Sequence, residues 1–137
     1  MNTAAHNILD PFYKQALTVN SETNSTEVLE NILADNFESR NGQEVKNKAT
    51  LIKQMAFFWK LIPDLKWEPQ EKIMDGNKWD VRSVATGSPK GYFMGMELNG
   101  SKSFKIDTID VHTIENGKIA KVYHLEDWAT AMKQLKG

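Results

Sequence analysis

The sequence predicts an α+β domain in which helices come first and a meander of long antiparallel strands follows. Three observations carry this reading. Apolar residues recur at helical spacing from Leu9 to Ile62. Pro63 stops that pattern. Beyond it, the turn signals Asp75-Gly76-Asn77, Asn99-Gly100 and Glu115-Asn116-Gly117-Lys118 separate runs rich in β-branched and aromatic residues. The helices must then lie on one face of the sheet.

Asp10 before Pro11 is a cap-then-proline start, and Leu9, Phe12, Tyr13, Ala16 and Leu17 make one helical face. The run from Asn20 to Ser25 is a polar loop. Ser25 or Thr26 caps a short helix with Val28, Leu29, Ile32 and Leu33 on its apolar face. A third helix runs from Asn47 to about Ile62. Its face of Leu51, Ile52, Met55, Ala56, Phe58, Trp59 and Ile62, widened by Phe57 and Leu61, needs cover on more than one side. Strands are expected over 65–74, with Pro69 marking an edge or bulge, and over 79–86, 92–96, 102–114 and 119–125. A last helix over 127–135 carries Trp128, Ala131, Met132 and Leu135 on one face, with Asp127 as its N-cap.

A chain of 137 residues fits one domain with one core, residues 1–8 forming a flexible tail. A net charge of −1, with lysines spread along the chain, argues against nucleic acid or an anionic membrane surface as partner. The absence of cysteine excludes disulfides, thiolate nucleophiles and Cys-ligated metals. Apolar stretches are too short to span a bilayer, and the N-terminus has no signal-peptide pattern, so a cytoplasmic protein is expected. The three histidines show no metal-ligand spacing, and the glycines form no phosphate loop. His6, near the terminus, carries no weight.

Several segments, in order, resemble a known family. They are Val81-Arg82-Ser83-Val84-Ala85-Thr86-Gly87, Gly91-Tyr92-Phe93-Met94-Gly95, Ile109-Asp110-Val111 with Ile114-Glu115-Asn116-Gly117-Lys118-Ile119, and His124-Leu125-Glu126-Asp127-Trp128 closing in Gln134-Leu135. Leu33-Ala34-Asp35-Asn36-Phe37 and Ile62-Pro63-Asp64-Leu65 match more weakly upstream. Over residues 9–135 the chain is similar to the SnoaL-like polyketide cyclases of the nuclear-transport-factor-2-like superfamily. The resemblance implies a cone-shaped fold, a curved sheet wrapped on three helices around an apolar pocket for a small hydrophobic molecule. It also implies a homodimer through the outer face of the sheet, and chemistry without metal or organic cofactor. In such cyclases the acid–base pair is an Asp on the last strand and a His on the strand before it. Here the types are swapped, with His124 and Asp110 in those places, and Arg40 stands where a His is frequent.

Whether Asp110 and His124 share a face depends on the turn between them. A two-residue Asn116-Gly117 turn would pair Asp110 with Tyr123 and separate the two faces. A three-residue turn with a bulge at Gly117 would pair Asp110 with Val122 and put Thr108, Asp110, His112, Val122 and His124 together, with Asp110 and His124 about 7 Å apart diagonally. Arg82 is a surface or salt-bridged strand residue, or else a pocket partner of Asp110. Tyr92 is a possible polar support and His112 a rim residue. The aromatics Phe57, Trp59, Trp67, Tyr92 and Phe93 line the pocket or fill the core. The expected activity is that of a cofactor-independent cyclase or isomerase acting on a hydrophobic carbonyl compound. The alternatives are a binding module, or a dimerisation domain whose cone is filled by Met55, Phe57 and Trp59.

Overall fold

Three short side chains start three of the helices. Asn24 accepts a hydrogen bond from the N–H of Glu27, Asn47 from that of Thr50 and Asp127 from that of Thr130. Each satisfies a backbone donor that the first turn leaves free. In the computed structural model, which describes residues 8–137, the helices are α1 (8–16), α2 (Ser25–Ile32), α3 (Lys48–Leu61) and α4 (Trp128–Lys136). The second half of α1, Phe12–Ala16, is a π-helical turn. The tail expected over 1–7, with His6, lies outside the described residues, and residue 8 already belongs to α1. Among the described residues no helix is long and apolar enough to cross a membrane.

The strands are β1 (Leu33–Asn41), β2 (Glu44–Asn47), β3 (Lys66–Asp75), β4 (Lys78–Gly87), β5 (Lys90–Phe93), β6 (Met96–Asn99), β7 (Phe104–Glu115) and β8 (Lys118–Glu126). Six of them form one sheet in the order β2-β1-β8-β7-β4-β3, and β5 with β6 makes a separate hairpin. The sheet is mixed, because β1 runs parallel to β8. Four expectations fail here. Asp10 lies inside α1 instead of capping it, and Asn24, not Ser25 or Thr26, caps α2. Leu33 opens β1 instead of closing the helical face, and the strand placed over 92–96 is a hairpin turn at Met94-Gly95, both at positive φ. Pro69 does mark a bulge: the β3–β4 register shifts between Pro69 and Glu71, on the sheet edge.

Alternation along β4 and β7 sends Trp79, Val81, Ser83 and Ala85, with Phe104, Ile106, Thr108, Asp110 and His112, to the inner face. Leu9, Phe12 and Ala16 of α1, Leu29 of α2, Leu51, Ile52 and Met55 of α3 and Leu135 of α4 complete one core against them. Each of the Leu, Ile, Phe and Met side chains among them contributes about 1.5–3 kcal/mol when fully buried. Gly87 is required by approach rather than by φ, since a Cβ there would lie 2.4 Å from Cγ2 of Ile62.

The β7–β8 connection decides the site. The turn is the two-residue Asn116-Gly117, both at positive φ (52° and 74°), with Glu115 opposite Lys118 and Ile114 opposite Ile119. A bulge follows, because Thr113 pairs with Lys121 and Ala120 is the extra residue. That shift of one position brings Asp110 directly opposite His124, with His112 opposite Val122. Neither turn read from sequence is right as stated. The face is shared, but through a bulge inside β8, and the pair is direct rather than diagonal.

Candidate functional site

Between the inner face of the sheet and the helices lies a cavity of about 360 Å³. The sheet presents Ser39 of β1, Asp110 of β7, and Val122, His124 and Glu126 of β8. The opposite wall is apolar and aromatic, with Phe12, Leu17, Leu51, Met55, Phe58 and Trp128, and Trp67 and Phe93 add to it. Glu44 and Lys46 of β2 also line the cavity, joined by an ion pair of 3.0 Å. Gln54 of α3 is a polar residue on the helix side, so the polar groups that meet a ligand come mainly, not wholly, from the sheet.

Asp110 is 4% exposed. The Tyr13 hydroxyl donates to its Oδ2 at 2.6 Å, and the same hydroxyl lies 2.7 Å from Nε2 of His112. Burial pushes the Asp110 carboxyl up to about 7; the bond from Tyr13 opposes that rise, the Glu126 carboxylate adds to it, and His124 offsets part of it. Tyr13 itself is held well above the usual phenol range, first by burial and then by Asp110. Burial pushes His112 down to about 3, so it is neutral at physiological pH.

His124 and Glu126, two apart on β8, point to the same side, and Nδ1 of His124 lies 2.7 Å from Oε2 of Glu126. The indole N–H of Trp128 donates to the other Glu126 oxygen at 3.3 Å. Burial works to lower the His124 pKa, but the hydrogen bond and charge of Glu126, with that of Asp110, outweigh it and raise the value above the ordinary 6.5. With Nδ1 engaged, Nε2 is the ring nitrogen left for a ligand. Lys46 opposes the rise slightly. The arrangement is thus Asp110, His124 and Glu126 on one face, two carboxyl groups flanking an imidazole in a largely apolar chamber.

Several residues expected in the pocket lie elsewhere. Arg82 points to the outer face beside Ile109, and its Nε donates to Glu71 of β3 at 2.8 Å; alternation on β4 turns it away from Asp110. Tyr92 is 65% exposed on β5 and Phe57 55% exposed on α3, so neither lines the cavity. Trp59 donates to the carbonyl of Ala16, pinning α3 to α1. Thr108 is on the inner face but accepts the indole N–H of Trp67 at 3.0 Å, which orients that wall. His112 is not at the rim; it is fully buried beneath Tyr13 and Phe12. Nor is the cone filled, since Met55 lines open space.

Two contributors were missed. Glu126 was legible as the residue two after His124 on the same strand. Tyr13 read as one more apolar position on α1, although a buried phenol hydroxyl needs a partner. Among the described residues no group of three or more His, Cys, Asp or Glu stands close enough to hold a metal ion.

A curved sheet closed by helices over a cavity whose polar groups come mainly from the sheet defines a cone-shaped α+β pocket protein. The family model described as SnoaL-like polyketide cyclase matches residues 8–135, and the chain belongs to that family. Solved structures agree on the fold. A Jannaschia sp. CCS1 protein assigned to the SnoaL-like polyketide cyclases superimposes with a TM-score of 0.85 at 14% identity, covering 98% of this chain and 93% of that one. TsrD from Streptomyces laurentii gives 0.81 at 17% identity, covering 98% and 96%. A SnoaL-like polyketide cyclase from Agrobacterium tumefaciens strain C58 gives 0.72 at 21% identity, covering 98% and 96%. No curated protein sequence matches the chain significantly.

Proposed function

We propose that the protein is a cofactor-independent acid–base enzyme acting on a small hydrophobic carbonyl compound, as a cyclase or isomerase. The observation that carries this reading is the direct opposition of Asp110 and His124 at an apolar cavity, with Glu126 holding the ring. His124 takes a proton from the carbon beside the carbonyl through Nε2, and Glu126 stabilises the imidazolium that forms. Asp110, whose carboxyl sits at about 7, is substantially protonated at neutral pH and donates to the developing enolate oxygen. The aromatic wall excludes water and strengthens both interactions.

The cavity bounds the substrate. A 150 Å³ protein cavity accommodates benzene. By that measure 360 Å³ holds on the order of 14 non-hydrogen atoms, a one- or two-ring compound with its oxygens on one edge. Exchange of the α-proton in D₂O, followed by NMR over a panel of cyclic ketones and 1,3-diketones, tests the reading. Exchange that depends on His124 and Asp110 is expected. Compounds that bind in the cavity without exchanging would make the protein a binding module.

The outer face of the sheet supports a homodimer. Ile109 and Leu125 are paired across β7 and β8, next to Tyr123, and are 52%, 65% and 49% exposed. A second copy of the chain is the partner that a self-complementary apolar patch of this kind fits.

A further inference from the structure

We infer that Tyr13 and His112 form a one-way positioning relay that keeps Oδ2 of Asp110 a standing hydrogen-bond acceptor and so confines the acid proton of Asp110 to Oδ1. The inference rests on the acid–base reading of Asp110 given above and assigns two residues that reading does not use.

The geometry comes first. The Tyr13 hydroxyl oxygen has two close partners, Oδ2 of Asp110 at 2.6 Å and Nε2 of His112 at 2.7 Å, but only one hydrogen to give. One of the two partners must therefore supply the second hydrogen, and His112 decides which. Its ring is fully buried, and its Nδ1 is enclosed with no hydrogen-bond partner among the described residues. The neutral imidazole carries one N–H. Placed on Nδ1, that N–H would be a buried donor with nothing to receive it; placed on Nε2, it donates to the Tyr13 oxygen and leaves only a lone pair unmatched, the more tolerated orphan. His112 therefore donates to Tyr13, and Tyr13 donates to Asp110.

The chain has no means of reversing. Reversal would require His112 to exchange its hydrogen from Nε2 to Nδ1, and among the described residues Nδ1 has no hydrogen-bond partner to mediate it. The ring is also held by edge contacts with Phe12 and Tyr13, at 5.1 and 5.8 Å between centroids. Tyr13 reaches both partners from the π-helical turn of α1, a local departure from α geometry of a kind frequent at functional sites. The other ionisable groups facing Asp110 are His124 and Glu126, both from β8; its β4 neighbour, Val81, brings none.

The consequence is directional. When Asp110 gives its proton to the ligand oxygen, the O–H bond at Oδ1 breaks and the carboxylate formed keeps the hydrogen bond from Tyr13. Tyr13 and His112 thus stabilise the conjugate base and fix which oxygen faces the ligand. Neither is a catalytic residue, since both act through Asp110.

The test reads the titration of the Asp110 carboxyl by ¹³C NMR, assigned with Asp110→Asn, in the wild-type chain and in Tyr13→Phe, His112→Leu and His112→Gln. Tyr13→Phe is expected to raise the proton affinity of Asp110 about tenfold, moving its midpoint up about one pH unit, the scale of a hydrogen bond to an ionised group. His112→Leu is expected to move it the same way by less, and His112→Gln, whose amide can donate where Nε2–H did, to restore it. An unmoved midpoint in Tyr13→Phe overturns the relay. So does His112→Gln behaving as His112→Leu, which would reduce His112 to a space-filling residue. If the leucine variant does not fold, Tyr13→Phe decides alone, because it removes a single oxygen. The readout is a titration and not turnover, so a wild-type chain that catalyses no exchange would defeat the acid–base reading while leaving the relay separately measurable.

Discussion

Asp110→Asn should make the protein more stable than the wild type at alkaline pH, by an amount that grows as pH rises to about 7 and then levels off. Asn preserves the shape of the side chain and an oxygen for Tyr13, but it cannot ionise. In the wild type the buried carboxyl titrates at about 7 when folded, against an ordinary value of 3.8 in the unfolded chain. Below 3.8 both states hold the proton and pH has no effect through this group. Between 3.8 and 7 the unfolded chain releases a proton that the folded chain keeps, so stability falls as pH rises. Above 7 the loss is complete. At about 1.4 kcal/mol for each pH unit of separation, it amounts to about 4 kcal/mol, to order of magnitude. Urea unfolding of both proteins from pH 4 to 9, compared as a difference, cancels the groups whose titration the substitution leaves unchanged, and the smaller lowering of His124 makes the difference climb in the same direction. The difference should climb through that window and level off above it. Parallel stability profiles would refute the reasoning, because they would mean that Asp110 ionises in the folded protein as easily as in water.

Three further outcomes follow from the same geometry. Glu126→Gln should lower the His124 titration, since burial is then opposed by Asp110 alone; histidine NMR reads this directly. The stability that the raised value confers is present below about 6.5 and lost as pH rises through the folded value, so this variant should lose stability on the acid side only. Met55→Trp should fill the cavity and abolish uptake of a small aromatic probe, at a cost of about 1–3 kcal/mol in unfolding free energy, with the fold kept by circular dichroism. Leu125→Asp on the outer face should shift sedimentation to the monomer while leaving the Asp110 and His124 titrations in place.

Much of the fold was legible because local signals agreed with one another. The helix start at Asn47, the cap at Asp127, the Pro63 stop, the Pro69 bulge and the Asn-Gly turns each did locally what the sheet requires. Strand β1 was not legible, and the reason is compositional. Leu33-Ala34-Asp35-Asn36-Phe37-Glu38-Ser39-Arg40-Asn41 holds one aromatic and no β-branched residue, and it buries Leu33, Phe37 and Ser39 without regular alternation. It is a strand because β2 and β8 pair with it on either side, a tertiary cause that no local pattern announces.

The site divides in the same way. Asp110 and His124 could be named from their strands, but the bulge that sets them opposite each other arises at Ala120, where nothing in the sequence marks an insertion. Arg82 was ambiguous because mid-strand position alone does not fix a face; the register with Ile109 does. Tyr13 and His112 were misplaced for another reason. Tyr13 looks like core packing from α1 and His112 like a rim residue from its place near the hairpin end, and their contact appears only where α1 meets β7.

The central claim is that Asp110 and His124 form one coupled acid–base unit in the cavity. The measurement that tests it most directly is the NMR titration of His124 in the wild-type chain and in Asp110→Asn. The account predicts that the wild-type value lies above 6.5 and that the substitution, by removing a facing carboxylate, lowers it by on the order of half to one pH unit. A His124 that titrates at the ordinary value and ignores Asp110 would contradict the account.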